Sequence, residues 1–164
     1  MKMVSSIGGR RQCFCSMMLL LSLNLLSAGC SGPTPVTIPV SQLPDGDVEV
    51  LEIDVDGKES HTTGKLQQLA DRSDDTFVMV DFWATWCGPC VKVNSELKTL
   101  KKEWKDKLTI LKVNVDQPSN RELVSSLRVS GIPMMLVCQS GKVILRFEGA
   151  YPAAEMSRAL RALQ

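Results

Sequence analysis

Apolar residues recur along residues 48–164 with two alternating periods, one typical of strands and one typical of helices. The clearest strand is "FVMVDFW", which is apolar apart from Asp81, as expected of a strand buried on both faces. A second segment, "VEVLEIDV", alternates apolar and acidic residues like a half-buried strand. The predicted strands are residues 48–55, 77–83, 108–115, 131–138 and 143–149, the last two joined by a tight hairpin at "QSGK".

Helical periodicity fills the intervals between these strands. The longest predicted helix begins at the cysteine pair in "WCGPCVKV" and places four apolar residues on one face: Val93, Leu97, Leu100 and Trp104. Shorter helices are predicted over residues 64–72 and 119–127, the latter with Ser119 or Asn120 as its cap. A closing helix over residues 152–164 starts at a proline and should bury Met156, Leu160 and Leu163. The order β-α-β-α-β-α-β-β-α predicts an α/β fold with a central sheet flanked by helices.

The first 29 residues have the pattern of an export signal. Three basic residues precede a mostly apolar run of about 13 residues, which is shorter than the roughly 20 residues that span a bilayer. The run ends in "LSAGC", which resembles a bacterial lipoprotein signal and predicts cleavage before Cys30 and lipidation of that cysteine. An ordinary secretory signal cut near Ala28 and a twin-arginine signal at Arg10 and Arg11 are the alternatives.

Residues 30–46 are predicted to tether the domain to the membrane. They contain four prolines and two glycines, and such a composition favours extended, poorly packing chain. An edge strand over residues 36–40 is the alternative. The folded domain is then expected over residues 47–164.

Charge and composition exclude several classes of partner. The chain has 164 residues, 44% of them hydrophobic and 23% charged, and a formal net charge of +1. Removal of residues 1–29 would take away three basic residues and bring the charge to about −2. A nearly neutral domain gives no indication of nucleic acid binding. It would also not be attracted to anionic lipid head groups, so its membrane attachment would depend on the acyl chains.

The cysteine pair is the strongest candidate for chemistry. Cys87 follows a buried strand and opens a helix, where unpaired backbone N–H groups and the helix dipole stabilise a thiolate. A thiolate is the form that attacks disulfides, and Cys90, one turn further along, is close enough to pair with Cys87. Zinc would need about four ligands, and a permanent disulfide across two residues would close too small a loop to add much stability.

Four segments together resemble the thioredoxin family: "VDFWATWCGPC", "LTILKVNVDQ", "SGIPMMLV" and "FEGAYP". The resemblance covers roughly residues 48–164 and implies the thioredoxin fold and thiol-disulfide exchange without a cofactor. It implies that Cys87 is the attacking thiol and Cys90 the resolving thiol. One departure is Ser95, at the position where thioredoxins usually have a proline that kinks the helix.

The resemblance also assigns the residues around the pair. Asp81 would be a buried carboxyl that moves a proton to or from Cys90, with Lys112 beside it; a solvent-facing strand edge is the alternative for both. Pro133 would form a cis peptide bond with Ile132 and shape a groove for substrate, with an ordinary trans proline as the alternative. Trp86, Gly88 and Pro89 would contact the substrate, whereas Trp83 is expected to pack in the core.

Cys138 and His61 are the remaining side chains with metal-binding chemistry. Cys138 ends a predicted strand, where a buried cysteine serves as a small hydrophobe; a regulatory or metal role is the alternative. His61 lies in "KESHTTG", which we interpret as a polar, exposed loop. No metal site is predicted.

The sequence as a whole predicts a monomeric, lipid-anchored, extracytoplasmic oxidoreductase that reduces disulfides of other proteins. Its dithiol would be restored by a membrane protein that carries electrons outward. Ser31 after the lipidated cysteine resembles the sorting pattern for the outer membrane, if the cell is Gram-negative. A disulfide oxidase or isomerase, and a non-catalytic module that binds peptides, are the alternatives.

Overall fold

The computed structural model describes residues 32–71 and 76–164. In these residues seven strands form one mixed sheet in the order β1-β7-β6-β4-β5-β2-β3. The strands are β1 Thr34–Pro39, β2 Asp47–Ile53, β3 Glu59–Lys65, β4 Phe77–Trp83, β5 Leu108–Asn114, β6 Met134–Gln139 and β7 Lys142–Glu148. The helices are α1 Leu66–Ala70, α2 Gly88–Trp104, α3 Arg121–Ser126 and α4 Ala153–Arg161. The predicted signal peptide and Cys30 lie outside the described residues.

Strand β4 lies in the middle of the sheet, parallel to β5 and antiparallel to β6. Successive side chains of a strand point to opposite faces, so β4 contributes to two separate apolar cores. One core contains Val78, Val80 and Phe82. The other contains Phe77 and Met79 together with the buried faces of α2 and α4. The central mixed sheet flanked by helices confirms the predicted fold class.

The prediction that residues 30–46 form a tether is wrong for part of that range. Residues Thr34–Pro39 form strand β1, which pairs antiparallel with β7 at one edge of the sheet. Val40 and Leu43, which follow it, are buried in the core. The edge strand that was the alternative interpretation is therefore present, since an edge position tolerates prolines that a central strand would not.

The prediction of a polar loop around His61 is also wrong. Residues Glu59–Lys65 form strand β3, which pairs with β2 through a full antiparallel register and occupies the other edge. The hairpin turns at Gly57, whose φ of 80° favours glycine. The carboxylate of Asp54 accepts hydrogen bonds from the backbone N–H groups of Asp56 and Lys58 at 2.9 and 2.8 Å and so closes the turn.

Two details of the predicted helices differ from the structure. Leu163 lies beyond α4 and is exposed, whereas Met156 and Leu160 are buried as expected. Asn120 precedes α3 but its side chain makes no capping hydrogen bond. Instead its amide donates to the carbonyl oxygens of Glu49 and Asn114, so Asn120 joins β2 to β5. No helix in the described residues is long and apolar enough to cross a membrane.

Candidate functional site

The cysteine pair lies where β4 ends and α2 begins. Cys87 is the residue that caps α2, and a disulfide joins it to Cys90 with the Cα atoms 5.3 Å apart. The backbone N–H of Cys90 donates to Cys87 Sγ at 3.2 Å. Pro89 lies in the first turn, where its missing N–H removes no helical hydrogen bond. This geometry gives Cys87 Sγ a donor that would stabilise a thiolate.

The exposed surface of the site lies beside the sulfurs. Both cysteines are only 4% exposed, so exposure alone does not identify the attacking thiol. Trp86 is 69% exposed, and its indole N–H donates to Asp116 Oδ2 at 2.8 Å. Gly88 is exposed as well, and a Cβ built there would meet no atom within 4 Å. The backbone of the loop is therefore open at Gly88.

Pro133 precedes β6 and has a cis peptide bond with Ile132, as predicted. Ile132 packs against the small apolar cluster of Ala84, Cys87 and Cys90. The backbone N–H of Gly149 donates to the carbonyl oxygen of Pro133 at 2.9 Å and joins the start of β6 to the end of β7. The fold thus brings Ile132 and Cys87, 45 residues apart in the sequence, into one cluster.

Asp81 and Lys112 are direct neighbours in the register of β4 and β5. Both are buried, Asp81 at 1% and Lys112 at 3% exposure, so the interpretation of either as a surface charge is wrong. Burial raises the pKa of Asp81 to about 7; Lys112 opposes this increase and the negative charge of Glu59 adds to it. Asp81 Oδ1 has no hydrogen-bond partner in the described part of the chain. The carboxyl therefore exchanges its proton near neutral pH.

The Lys112 ammonium contacts the ring of Trp83 and also Glu59, which the sequence analysis did not assign to the site. It lies 3.3 Å from Glu59 Oε2 and 4.4 Å from the centroid of the Trp83 ring. Asn94 of α2 donates to Glu59 Oε1 at 3.1 Å, and Lys98 approaches the same oxygen at 3.4 Å. Burial by itself would raise the pKa of Glu59, but Lys112 and the hydrogen bonds from these side chains outweigh it and lower the pKa.

Glu59, Asn94 and Asp116 are the site residues that sequence reasoning missed. Glu59 was overlooked because its strand has no apolar alternation. The dipeptide Asp56-Gly57 after a predicted strand was a signal for a hairpin, and the hairpin would have placed Glu59 opposite Ile53. Asn94 and Asp116 are polar residues in ordinary positions, and no local pattern indicates their contacts.

Cys138 lies away from this site. It is 1% exposed, belongs to the apolar core beside Val78, and is the free cysteine of the described residues. Burial raises its pKa to about 12. His61 is exposed on β3, 3.4 Å from Glu49. In residues 32–71 and 76–164 no group of three or more His, Cys, Asp or Glu side chains could hold a metal ion.

The site combines a Cys-x-x-Cys disulfide at a helix N-terminus, a cis proline whose preceding residue packs against that disulfide, and a buried carboxyl on the preceding strand. These features define a thiol-disulfide oxidoreductase. The thioredoxin family model matches residues 62–162, and the chain belongs to the thioredoxin family. Thiol-disulfide exchange is the activity that this fold and these relatives support.

Several relatives and solved structures similar to this chain are thioredoxins. A thioredoxin of Chlorobaculum thiosulfatiphilum is 36% identical over 96 residues, covering 58% of this chain and 87% of the relative. A thioredoxin of Bacillus subtilis is 37% identical over 86 residues, covering 52% and 81%. The crystal structure of chloroplastic thioredoxin z matches with a TM-score of 0.53 and 35% identity, covering 60% of this chain and 87% of that chain.

Proposed function

We propose that this protein is a lipid-anchored, extracytoplasmic reductase of protein disulfides. The observation that carries the assignment of roles is the hydrogen bond from the backbone N–H of Cys90 to Cys87 Sγ at 3.2 Å. A donor at Cys87 Sγ favours the thiolate on Cys87 over that on Cys90, because hydrogen bonds to the charged form lower a pKa. Cys87 is therefore the attacking thiol and Cys90 the resolving thiol.

The reaction begins from the reduced pair. The Cys87 thiolate attacks one sulfur of a substrate disulfide, that disulfide breaks, and the first substrate thiolate leaves and takes up a proton. Cys90 then gives its proton to the carboxylate of Asp81 and attacks Cys87 Sγ. The mixed disulfide breaks, the second substrate thiolate leaves and takes up a proton, and the Cys87–Cys90 disulfide remains. Two electrons pass from the pair to the substrate, and an external dithiol must return them.

The substrate is proposed to bind as an extended segment beside the pair. Exposed Trp86, Gly88 and Pro89 would form one wall of the binding surface, and Ile132 with Pro133 the other. The open space at Gly88 supports a close backbone approach.

The direction of electron transfer, from this protein to its substrate, is proposed from the Gly-Pro dipeptide between the cysteines, which by resemblance favours a reductant. Thioredoxin has a potential of about −270 mV and a strong oxidant of the same fold about −120 mV, a difference of roughly 7 kcal/mol. The deciding experiment is the reduction potential of the Cys87–Cys90 couple, measured by thiol trapping in defined thiol buffers. A value near that of thioredoxin supports the reductase. A value near −120 mV would indicate an oxidase or isomerase.

Two matched variants and one control variant test the roles of the cysteines. Cys90→Ser should accumulate mixed disulfides with substrate, because Cys87 attacks and nothing resolves the product. Cys87→Ser should form none, and Cys138→Ser should react like the unaltered protein. If Cys87→Ser retained full activity, a non-catalytic peptide-binding module would replace the enzyme.

The membrane anchor is proposed from the signal pattern ending at Cys30. Metabolic labelling with a radioactive fatty acid should mark the protein and not its Cys30→Ser variant. Fractionation of the labelled cells would then test the outer-membrane sorting proposed from Ser31. If the protein is in the outer membrane, a donor dithiol protein in the inner membrane would have to reach the domain across the periplasm. Incorporation of label into the Cys30→Ser variant would contradict this site of lipidation.

A further inference from the structure

The β2–β3 hairpin adds a second carboxylate to the redox site. Glu59 pairs in register with Ile53, and Ile53 in turn pairs with Ile110 of β5. Ile53 and Ile110 both belong to the core on the α2 side of the sheet. Because side chains alternate between the faces of a strand, Lys112 lies on the same face as Ile110, and Asp81 on the same face as Met79. Glu59, Lys112 and Asp81 therefore share the face that α2 covers.

Lys112 pairs with Glu59 and not with its register neighbour. Among the described residues the Lys112 ammonium forms its ion pair with Glu59 Oε2 at 3.3 Å, on the ring of Trp83, while Asp81 forms no ion pair. Asn94 and Lys98 contact the other oxygen of Glu59 and fix the direction of its carboxylate. Glu59 thus holds the ammonium at the β3 side of the site.

A small cavity is lined by both Lys112 and the resolving cysteine. Its volume is about 110 Å³, and Cys90, Asn94, Lys112 and Trp83 are among the residues that line it. Asn94 Oδ1 is buried and has no hydrogen-bond partner in residues 32–71 and 76–164. The cavity has the volume and the polar walls that ordered water needs. Cys90 therefore shares this cavity with the polar side chains of Asn94 and Lys112.

We propose that Glu59 is a positioning residue for the resolving step: by holding Lys112 against Trp83, it leaves Asp81 without a direct cation, so that the carboxyl can hold the proton that Cys90 gives up. The inference rests on the proposed role of Cys90 as the resolving thiol.

The groups that face Asp81 come from each neighbouring element. Strand β5 contributes Lys112 and strand β3 contributes Glu59, while helix α2 contributes Lys98, which is bound to Glu59. The partner from β6 is Met135, which carries no charge. Apart from desolvation, Lys112 lowers the pKa of Asp81 and Glu59 raises it. Replacing Glu59 by a neutral isostere removes its repulsion of the Asp81 carboxylate and frees Lys112 to approach Asp81. Both effects lower the pKa of Asp81.

The experiment compares Glu59→Gln with Asp45→Asn in the full chain, purified in detergent. Asp45 is an exposed carboxylate paired with Lys65 at the opposite end of the hairpin, so its variant removes the same charge far from Lys112. The proton equilibrium of Asp81 is measured by carboxyl ¹³C NMR on aspartate-labelled protein, and Asp81→Asn identifies the signal by its loss. The pH profile of turnover with a protein disulfide is measured alongside.

In Glu59→Gln we expect the Asp81 midpoint to fall by about half a pH unit or more, with the acid limb of the turnover profile moving the same way. Asp45→Asn should leave both unchanged. An Asp81 midpoint in Glu59→Gln that stays in place or rises would overturn the proposal. Because the NMR titration needs no turnover, an inactive wild-type protein would refute the proposed function and leave the electrostatic effect of Glu59 measurable by itself.

Discussion

Strand β4 buries two faces of opposite chemistry. On one face Val78, Val80 and Phe82 pack in a core whose buried members are all apolar. On the other face Phe77 and Met79 are apolar, but Asp81 follows them at 1% exposure. The same strand therefore carries a pH-independent core on one side and a buried titratable group on the other.

The difference shows where the protein gives up stability for chemistry. A buried carboxyl without a cation costs free energy in its charged form, and an apolar side chain of similar size would not. That cost falls at the end of the strand nearest Cys87, whereas the distant end of the same face is apolar. Residues that lower the stability of a fold are expected among the groups that take part in its chemistry, such as a carboxyl that must exchange a proton.

The largest expected effect is a loss of stability caused by a substitution on the apolar face of β4. Phe82→Ala removes a fully buried aromatic side chain and should lower the free energy of unfolding by about 3–5 kcal/mol. Because no charged group is involved, the loss should be equal at pH 5 and pH 8. Urea unfolding at both pH values measures it, with Val55→Ala at an exposed position as control. A loss that depends strongly on pH would contradict the separation of the two faces.

Asp81→Asn is expected to stabilise the protein at neutral pH. The pKa of Asp81 rises from its ordinary 3.8 to about 7 in the folded protein, so the folded state binds the extra proton between these values. The free energy of unfolding of the unaltered protein therefore falls as pH rises from about 4 to about 7, by about 4 kcal/mol in total. The variant should be more stable by up to that amount at pH 8 and not at pH 4.

The same variant should slow disulfide exchange, since Asn cannot accept a proton from Cys90. Unfolding measured from pH 4 to pH 8 and turnover at pH 7 give the two readouts. Asp45→Asn, which alters an exposed carboxylate, should change neither by much. A gain in stability that is independent of pH would show that the relevant proton is not on Asp81.

The sequence predicted the apolar parts of this comparison and the two charges within it. The run "FVMVDFW" has Asp81 as its single polar residue, and Lys112 is the basic residue within "LTILKVNV", so burial of both followed from burial of the strands. The cysteine pair followed from its position between a buried strand and a helix, and the cis proline from the resemblance to thioredoxins.

The two edge strands could not be predicted in the same way. Strand β1 has three of its six residues exposed and contains prolines, so its composition favoured a tether. Strand β3 pairs on one side only, and its sequence "ESHTTGK" has no apolar residue to indicate a buried face. The partner of Lys112 was missed for this reason, because Glu59 enters the site from the edge strand and not from the strands that carry the pattern.

Lys112→Met should shift the pKa of Asp81 in the direction opposite to that expected for Glu59→Gln. Lys112 lowers the pKa of Asp81, so its removal should shift the Asp81 midpoint above 7, by an interaction of about 1 kcal/mol. Carboxyl ¹³C NMR measures the midpoint, and Lys112→Arg, which keeps the positive charge, is the control. An unchanged midpoint in Lys112→Met would mean that the ammonium acts on Glu59 alone.

The smallest expected effect is the alkylation of Cys138, which lies on the apolar face of the sheet. Its pKa of about 12 leaves roughly one molecule in 10⁴ as thiolate at pH 8, and the thiolate is the form that iodoacetamide alkylates. In the folded, reduced protein we expect peptide-resolved mass spectrometry to find Cys87 alkylated and Cys138 unmodified, and both alkylated in denaturant. Exposure differs little between them, 4% against 1%, so the contrast must come from their surroundings. Cys87 has a backbone N–H donor at the start of α2, whereas Cys138 lies among apolar side chains; equal labelling in the folded state would mean that the apolar face opens.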